Sequence, residues 1–600
     1  MKFRYISYSF VGLTVGLALL WSVACGDQPD PEPIPTLAPM LPTLTPRVAA
    51  TPTPSALGAQ TPTSAPGPIS TATRIPTPVV VPTATPIVAA PRPVPSVRPT
   101  PDARSRGGTL NLASAENIVH QDVHQDISPS LSSWGPGIAY SRLMRLETGP
   151  GTLLPGLSLE CDICADWTME SPTSYLFNLR DDVKWHDLDP VDGRALDTED
   201  VIFSYQRQIN PEFPNSPLLR SIVALEYLDP LTLRVRFNLP DADSLLSLAD
   251  GHSKIVPPET LILSGDLREG PTIGTGPWVL EQTSIDEFHF FSSHVDYFEP
   301  GLPLVDNLRI LILTNEDTRS AAFQTGMTDV HEMRPMEWIR HLQQSPNAPS
   351  LEIPQPGSGI EVAFKTIGPP FDDARVRRAA MLSMDPVRLI EEQWGGFGFV
   401  GTGFPVASPD WLMTESELLG RFDDTEAAQS LLRDVGLASG TPVTITVGDF
   451  GQQYLDYADA VSVGMQSVGF DSRVEIVNRR QFGESVWLRG DYQMMLGPPA
   501  PVSTPNGFLL PVFHSEGVWN TTGHRDDALD AMLESQAVEH DAKKRAELIR
   551  RIQNHILDHG YRFMPFTRTE IWTWQPRVHD FHPNFSLFEY HHWAKVWLEE

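Results

Sequence analysis

The chain has 600 residues and carries 75 Asp and Glu against 44 Lys and Arg, a formal net charge of −31 at pH 7. Residues 1–105 are slightly basic, so the remainder holds all of the excess acid, and a surface of that sign repels phosphate backbones and argues against a nucleic-acid partner. The body beyond residue 105 is longer than one hydrophobic core supports, which calls for two or more domains.

At the N-terminus Lys2 and Arg4 precede an apolar run from Phe10 to Leu20. That run is too short to span a bilayer but suits the core of a signal peptide. Ala24 then stands before Cys25. In this setting Cys25 resembles the lipid-acceptor residue of a bacterial lipoprotein, with Ser22 where that motif usually has leucine. An ordinary secretory signal with a chance cysteine is the alternative, and under either reading the chain is exported. From Gly26 to Ser105 roughly every fourth residue is proline, interleaved with Thr, Ala and Val. Such a segment cannot form a ladder or bury a core, and we expect a disordered, polyproline-like tether over 26–105. At about 3.1 Å per residue it would reach on the order of 200 Å.

Beyond the tether, Gly107 and Gly108 break the chain before a strand starting at Thr109, "TLNLAS". Alternating or apolar runs predict further strands at "SYLFNLRDDVKW", "LTLRVRFNL", "IDEFHFFSS" and "NLRILIL", and later at "TPVTITV", "SRVEIV" and "DYQMML". Helices are predicted in between. In "LDTEDVIFSYQRQI", Asp197 or Thr198 is the N-cap, acids fill the first turn, and Val201, Tyr205 and Ile209 share a face. "DDARVRRAAMLSM", "DPVRLIEEQW", "DDTEAAQSLLRDVG" and "AKKRAELIRRIQNHIL" come next, Gly436 closing the third. Mixed strands and helices without a short repeat define an α/β protein.

With Cys25 assigned to lipid, only Cys161 and Cys164 remain, in the loop-like run "LECDICADW". No second CxxC completes a zinc site, and an exported chain folds in an oxidising setting, so a local disulfide is expected over a redox motif.

Six stretches stand in order along the body: "GGTLNLA" at 107–113, "SYLFNLRDDVKWHD" at 174–187, "TEDVIFSYQR" at 198–207, "SPLLRSIVALEYLDPLTLRVRF" at 216–237, "GTGPWVLE" at 274–281 and "PPFDDARVRRAAMLSMDPVRLI" at 369–390. Together they are similar to the family 5 extracellular solute-binding proteins of ABC importers. Asp182 stands where the family has glycine, and "LDPVDG" lengthens the loop after His186. The resemblance implies a two-lobe periplasmic-binding-protein type II fold with a third subdomain inserted in the first lobe. On that pattern the first lobe is 106–365 with the insertion near 150–268, the second lobe 366–570, and 571–600 returns to the first. "GIEVAFKT" at 359–366 and "FMPFTRTEIWTW" at 563–574 are the candidate crossings. A solute is then enclosed between lobes whose closure an importer permease reads. A monomeric, membrane-anchored binder without a cofactor is implied. Peptides are the first expected ligand, with sugars, glycosides or metal chelates behind them; an exported hydrolase or redox protein on the same fold is the alternative.

By position in the family's cleft, Glu116, Asn117, Trp134 and Ser503 are candidate ligand contacts. Peptide binders of the family use an aspartate for the peptide's α-amino group, and the matching position here is Pro501, which offers no charge. Free peptide N-termini should then bind poorly unless another acid, such as Glu116, takes the role. Other motifs fail on context. "GFGFVG" at 396–401 fits G-x-G-x-x-G but comes after a helix rather than a strand. "DLDPVDG" lacks the closing glutamate of a calcium loop. His120 and His124 have a metal-compatible i, i+4 spacing, weighed against surface histidines in a loop. The aromatic C-terminal run "FHPNFSLFEYHHWAKVW" is read as a strand packing onto the first lobe, and no Gly-x-Ser-x-Gly or HExxH occurs.

Overall fold

The computed structural model describes residues 106–600 except 404, 500–503, 585, 587 and 600. The signal segment, Cys25, the proline-rich stretch, Pro501 and Ser503 lie outside the described residues. Among the described residues no helix is long and apolar enough to cross a membrane.

Strand β1 (Thr109–Ser114) precedes a short antiparallel pair, β2 (Met144–Leu146) and β3 (Leu159–Cys161). Next, β4 (Cys164–Ser171), β5 (Ser174–Leu179), β6 (Ile222–Asp229) and β7 (Thr232–Phe237) form an antiparallel sheet in the order β4-β5-β7-β6. Its inner face comes from alternation: Tyr175, Phe177 and Leu179 are buried on β5, facing Leu233 and Val235 of β7. The helix Thr198–Gln208 covers that core with Val201 and Tyr205, both fully buried. Each such side chain contributes about 1.5–3 kcal/mol. Asp197 and Asp200 close a capping box at its start, and Asp200 Oδ2 also accepts a hydrogen bond from Trp185 Nε1. One carboxylate thereby fixes both the helix entry and the buried Trp185 ring. Cys161 ends β3 and Cys164 begins β4, joined as a disulfide with Cα atoms 5.0 Å apart; the segment expected as a loop is the two-residue link between these strands.

Strands β8 (Trp278–Ser284), β9 (Phe288–Ser293) and β10 (Asn307–Ile312) return to β1, giving a sheet of order β1-β10-β9-β8 in which β1 and β10 run parallel. A larger, seven-stranded sheet holds β11 (Val330–Met333), β12 (Ser350–Phe364), β13 (Gly398–Gly401), β14 (Thr441–Gly448), β15 (Phe470–Val477), β16 (Met494–Gly497) and β17 (Arg562–Trp574). Its order is β11-β17-β12-β16-β14-β15, with β13 also on β17. Strands β14, β15 and β16 are parallel, so β14 must reach β15 by a crossover. The helix Gln452–Val468 supplies it. It is absent from the sequence-based expectations because Gly464 breaks the pattern, and that glycine lets the helix approach Ser383, whose carbonyl oxygen lies 2.2 Å from where a Cβ would stand.

Strands β12 and β17 pair antiparallel from Ser350↔Thr573 to Ala363↔Arg562. At one end Leu351 and Trp572 pack on the core built by Leu110, Leu112, Leu308 and Ile310. At the other, Ile360, Val362, Phe364, Phe563 and Phe566 enter the core of β14 and the helices around it. Two strands thus join two hydrophobic cores, the two-lobe arrangement. The C-terminal aromatic run is not the strand expected of it. It forms a short helix, His592–Lys595, and a two-residue strand β19 (Trp597–Leu598) on β18 (Val578–His579). Its Tyr590, Trp593, Val596 and Leu598 complete the β1 core, and Glu589 makes a buried 2.9 Å ion pair with Arg142.

Candidate functional site

Where β17 passes between the cores it reads T-R-T-E-I-W-T-W, and alternation places Arg568, Glu570 and Trp572 on one face. Strand β11 pairs Glu332 opposite Trp572, bringing it to the same face. Arg568 donates to Glu570 Oε1 at 2.5 Å and to Glu332 Oε1 at 3.2 Å, and Trp572 Nε1 donates to Glu570 Oε2 at 3.2 Å. Crowding by protein, together with the Glu570 charge, raises the Glu332 pKa to about 7, yet 39 % of its side chain is still reached by solvent. That combination marks a group in a recess. Burial works against the Arg568 charge, but the two carboxylates hold its pKa above the usual value, and its buried Nε has no hydrogen-bond partner. Tyr454, at the start of the helix Gln452–Val468, closes the recess from the second lobe, its hydroxyl donating to Gly359 O at 3.4 Å.

Of the residues the sequence proposed, Trp134 joins this face. It stacks on Trp572 with ring centroids 6.0 Å apart and an interplanar angle of 9°, and meets Trp593 edge-on at 5.2 Å. The Ser114 hydroxyl donates to Ser130 Oγ at 3.0 Å, which ties the end of β1 to the segment carrying Trp134. Glu116 and Asn117 are exposed just beyond; Asn117 donates to Asp286 in the β8–β9 turn, so its amide is turned away toward that turn. Ser503 is outside the described residues. Sequence reasoning misses Glu332, Arg568, Glu570 and Trp572, although the signal is present: charges alternating through a strand otherwise fit for burial.

The opposite face of the crossing strands lines a cavity of about 610 Å³, walled by Glu352, Pro354, Thr569, Ile390, Phe399 and Leu412 among others. The "GFGFVG" run forms part of its wall as β13, after a helix that ends at Trp394, and not a dinucleotide loop. Gly398 is required there, since a Cβ would lie 2.5 Å from the Phe566 ring. The two histidines of the 120/124 pair are engaged by separate partners, His120 Nδ1 accepting from Asp122 N at 3.2 Å, and His124 is not the surface residue expected. It is fully buried, its Nε2 bonded to Lys254 O at 2.9 Å, and burial lowers its pKa to about 3.

A second set of contacts links the lobes away from the crossing strands. Asp243, in the loop after β7, pairs with Arg545 at 2.6 Å and accepts from Asn506 N at 2.6 Å. Asn506 Nδ2 donates to Asp241 Oδ1 at 2.6 Å, and Ala242 N to Ala537 O at 2.8 Å.

Two lobes joined by a paired ribbon, with a charged and aromatic recess at the ribbon, define a type II periplasmic binding protein. Residues 156–520 match the family model of bacterial extracellular solute-binding proteins, family 5, middle region, and the chain belongs to that family. It is 26% identical over 481 residues to di/tripeptide-binding protein 3 of Pseudomonas aeruginosa, covering 74% of this chain and 86% of that protein. Among solved structures, HbpA2 from Haemophilus parasuis superposes with a TM-score of 0.72 at 20% identity over 82% of this chain and all of that one. The periplasmic binding protein DppA from Helicobacter pylori, in complex with the peptide STSA, superposes with a TM-score of 0.62 at 19% identity over 83% and 99%.

Proposed function

We propose that this chain is the lipid-anchored receptor of an ABC importer, carrying lipid on Cys25, which holds a peptide or peptide-like solute at the crossing strands and delivers it to the permease. It acts as a monomer, with the solute between a first lobe of residues 106–365 and a second of 366–570. The observation that carries the reading is the cluster of Glu332, Glu570 and Arg568 beside the Trp134–Trp572 stack. Once Glu332 gives up its proton, two carboxylates against one guanidinium leave one negative charge for an ammonium, and the indole faces suit the solute's apolar part. Kinship with a di/tripeptide-binding protein supports the same class of solute.

Glu332 and Glu570 supply the acid that the position of Pro501 does not, so a free amino group is recognised. In the empty site Glu332 holds a proton near neutrality; an arriving ammonium displaces it. Affinity therefore rises with pH from about 5 to about 7 and levels off above that, as the peptide's own amino group begins to lose its proton, with a heat that depends on the buffer's ionisation enthalpy. Calorimetry of the soluble protein against di- and tripeptides and their N-acetylated forms tests this. Acetylation or Glu332→Gln should weaken binding by about 10- to 100-fold. Equal affinity of acetylated and free peptides, with no effect of Glu332→Gln, would overturn the assignment.

A further inference from the structure

At the end of β17 opposite the recess, three side chains converge whose chemistry the solute site does not use. His555 and His559 are one turn apart near the end of the helix Ala542–His559, and Asp526 is the N-cap of the helix Asp527–Ala537 packed beside it. One ligand atom from each lies within 4.8 Å of the others, and all three side chains are half-buried, so solvent reaches them. The geometry points to a binding site for a first-row divalent transition metal, with His555, His559 and Asp526 as its protein ligands and its remaining positions open.

Hydrogen bonding around the triad favours metal over a simple ion pair. The His559 Nδ1 lies 2.9 Å from His555 O. A carbonyl only accepts, so Nδ1 carries the proton and the neutral ring presents its Nε2 lone pair, the arrangement that outer hydrogen bonds impose on metal-binding imidazoles. Asp526 divides its work between two oxygens. Oδ1 accepts from Ala528 N and Leu529 N, capping the helix, while Oδ2 takes Tyr561 OH at 3.0 Å and His555 Nε2 at 2.6 Å. The capping bonds hold the carboxylate in place with Oδ2 turned toward the histidines. The two imidazoles stack at 4.1 Å, which puts their edges side by side.

A cation entering between His555 Nε2 and Asp526 Oδ2 displaces the proton they share, which leaves Nε2 for His555 Nδ1 or, where Nδ1 already carries one, for solvent. The two atoms separate from 2.6 Å to about 3 Å to accommodate bonds of about 2.0–2.2 Å. Two imidazoles and one carboxylate are borderline ligands suited to zinc, nickel, cobalt or copper and poor for calcium or magnesium.

Titration of the metal-stripped full chain with zinc by calorimetry tests the assignment, with cobalt absorption as a second readout of coordination. One zinc per chain should bind at micromolar concentration or tighter, and cobalt should show visible d–d bands. Asp526→Asn keeps an N-cap acceptor and so the fold, and should weaken zinc at least tenfold. The double variant His555→Gln/His559→Gln should lose the site, whereas His120→Gln should leave it intact. Wild-type zinc affinity in the double variant, or no binding below millimolar zinc by wild type, would overturn the proposal; thermal melts of the metal-free variants identify any loss caused by misfolding.

Discussion

Glu361 shows what burial does to a single carboxylate. It lies on β12 with no surface exposed, 3.4 Å from Arg562 as an ion pair, and neither of its oxygens has a hydrogen-bond partner. Burial raises its pKa to about 7, with the Arg562 charge opposing. The unfolded value is near 4.5, so the folded chain binds the proton more tightly. Its contribution to stability is full below pH ~4.5 and is lost as pH rises through about 7, on the order of 3 kcal/mol. Glu361→Gln imitates the protonated form. The melting temperature of the wild type should fall more between pH 5 and pH 8 than that of the variant, and the variant should be the more stable at pH 8. Parallel pH profiles for the two would show that Glu361 is ionised throughout. The sign is opposite for Glu589, whose pKa is held down at about 2: burial raises it, but the Arg142 charge and hydrogen bonds outweigh that. Its contribution is present above pH ~4.5 and is lost as pH falls toward 2.

At the scale of elements, the contact of the β7 loop with the helices of the second lobe is the part least visible in the sequence. Asp241 and Asp243 have the sequence setting of solvated loop acids, yet Asp243 and Arg545 are both buried. Removing one member of such a pair leaves a buried charge uncompensated and costs about 3–5 kcal/mol. Asp243→Asn should therefore lower the melting temperature, increase the radius of gyration in small-angle scattering and weaken solute binding. An unchanged radius and affinity would mean that the contact has no part in closure. The elements themselves are largely legible where one local rule is sufficient. The alternation of "SYLFNL" and the cap at Asp197 give β5 and the helix Thr198–Gln208 directly. The helix Gln452–Val468 is hidden because Gly464 interrupts its pattern, although both strands it connects are predicted. The proposed site is legible only in part. Trp134 can be placed by resemblance, but Glu332 and Trp572, 240 residues apart, meet only through the β11–β17 register.

The whole molecule carries its proposed anchor at Cys25, and the tether expected at 26–105 would set how far the lobes stand from a bilayer. Wild-type protein made in a lipoprotein-processing host should partition into detergent, and Cys25→Ala should remain aqueous. Identical partitioning would leave Cys25 without an anchoring role. The position of β17 imposes an order of events on the same chain. It begins at residue 562, yet it is an interior strand of the large sheet, pairing β11 and β13 along one side and β12 along the other. A polypeptide threaded N-terminus first through a membrane leaves the edges of those partner strands unpaired until its C-terminal end has emerged. The cores that include Phe563 and Trp574 cannot close before then, so a chain terminated before Arg562 should aggregate in place of forming a smaller two-lobe protein, which expression of that truncation checks.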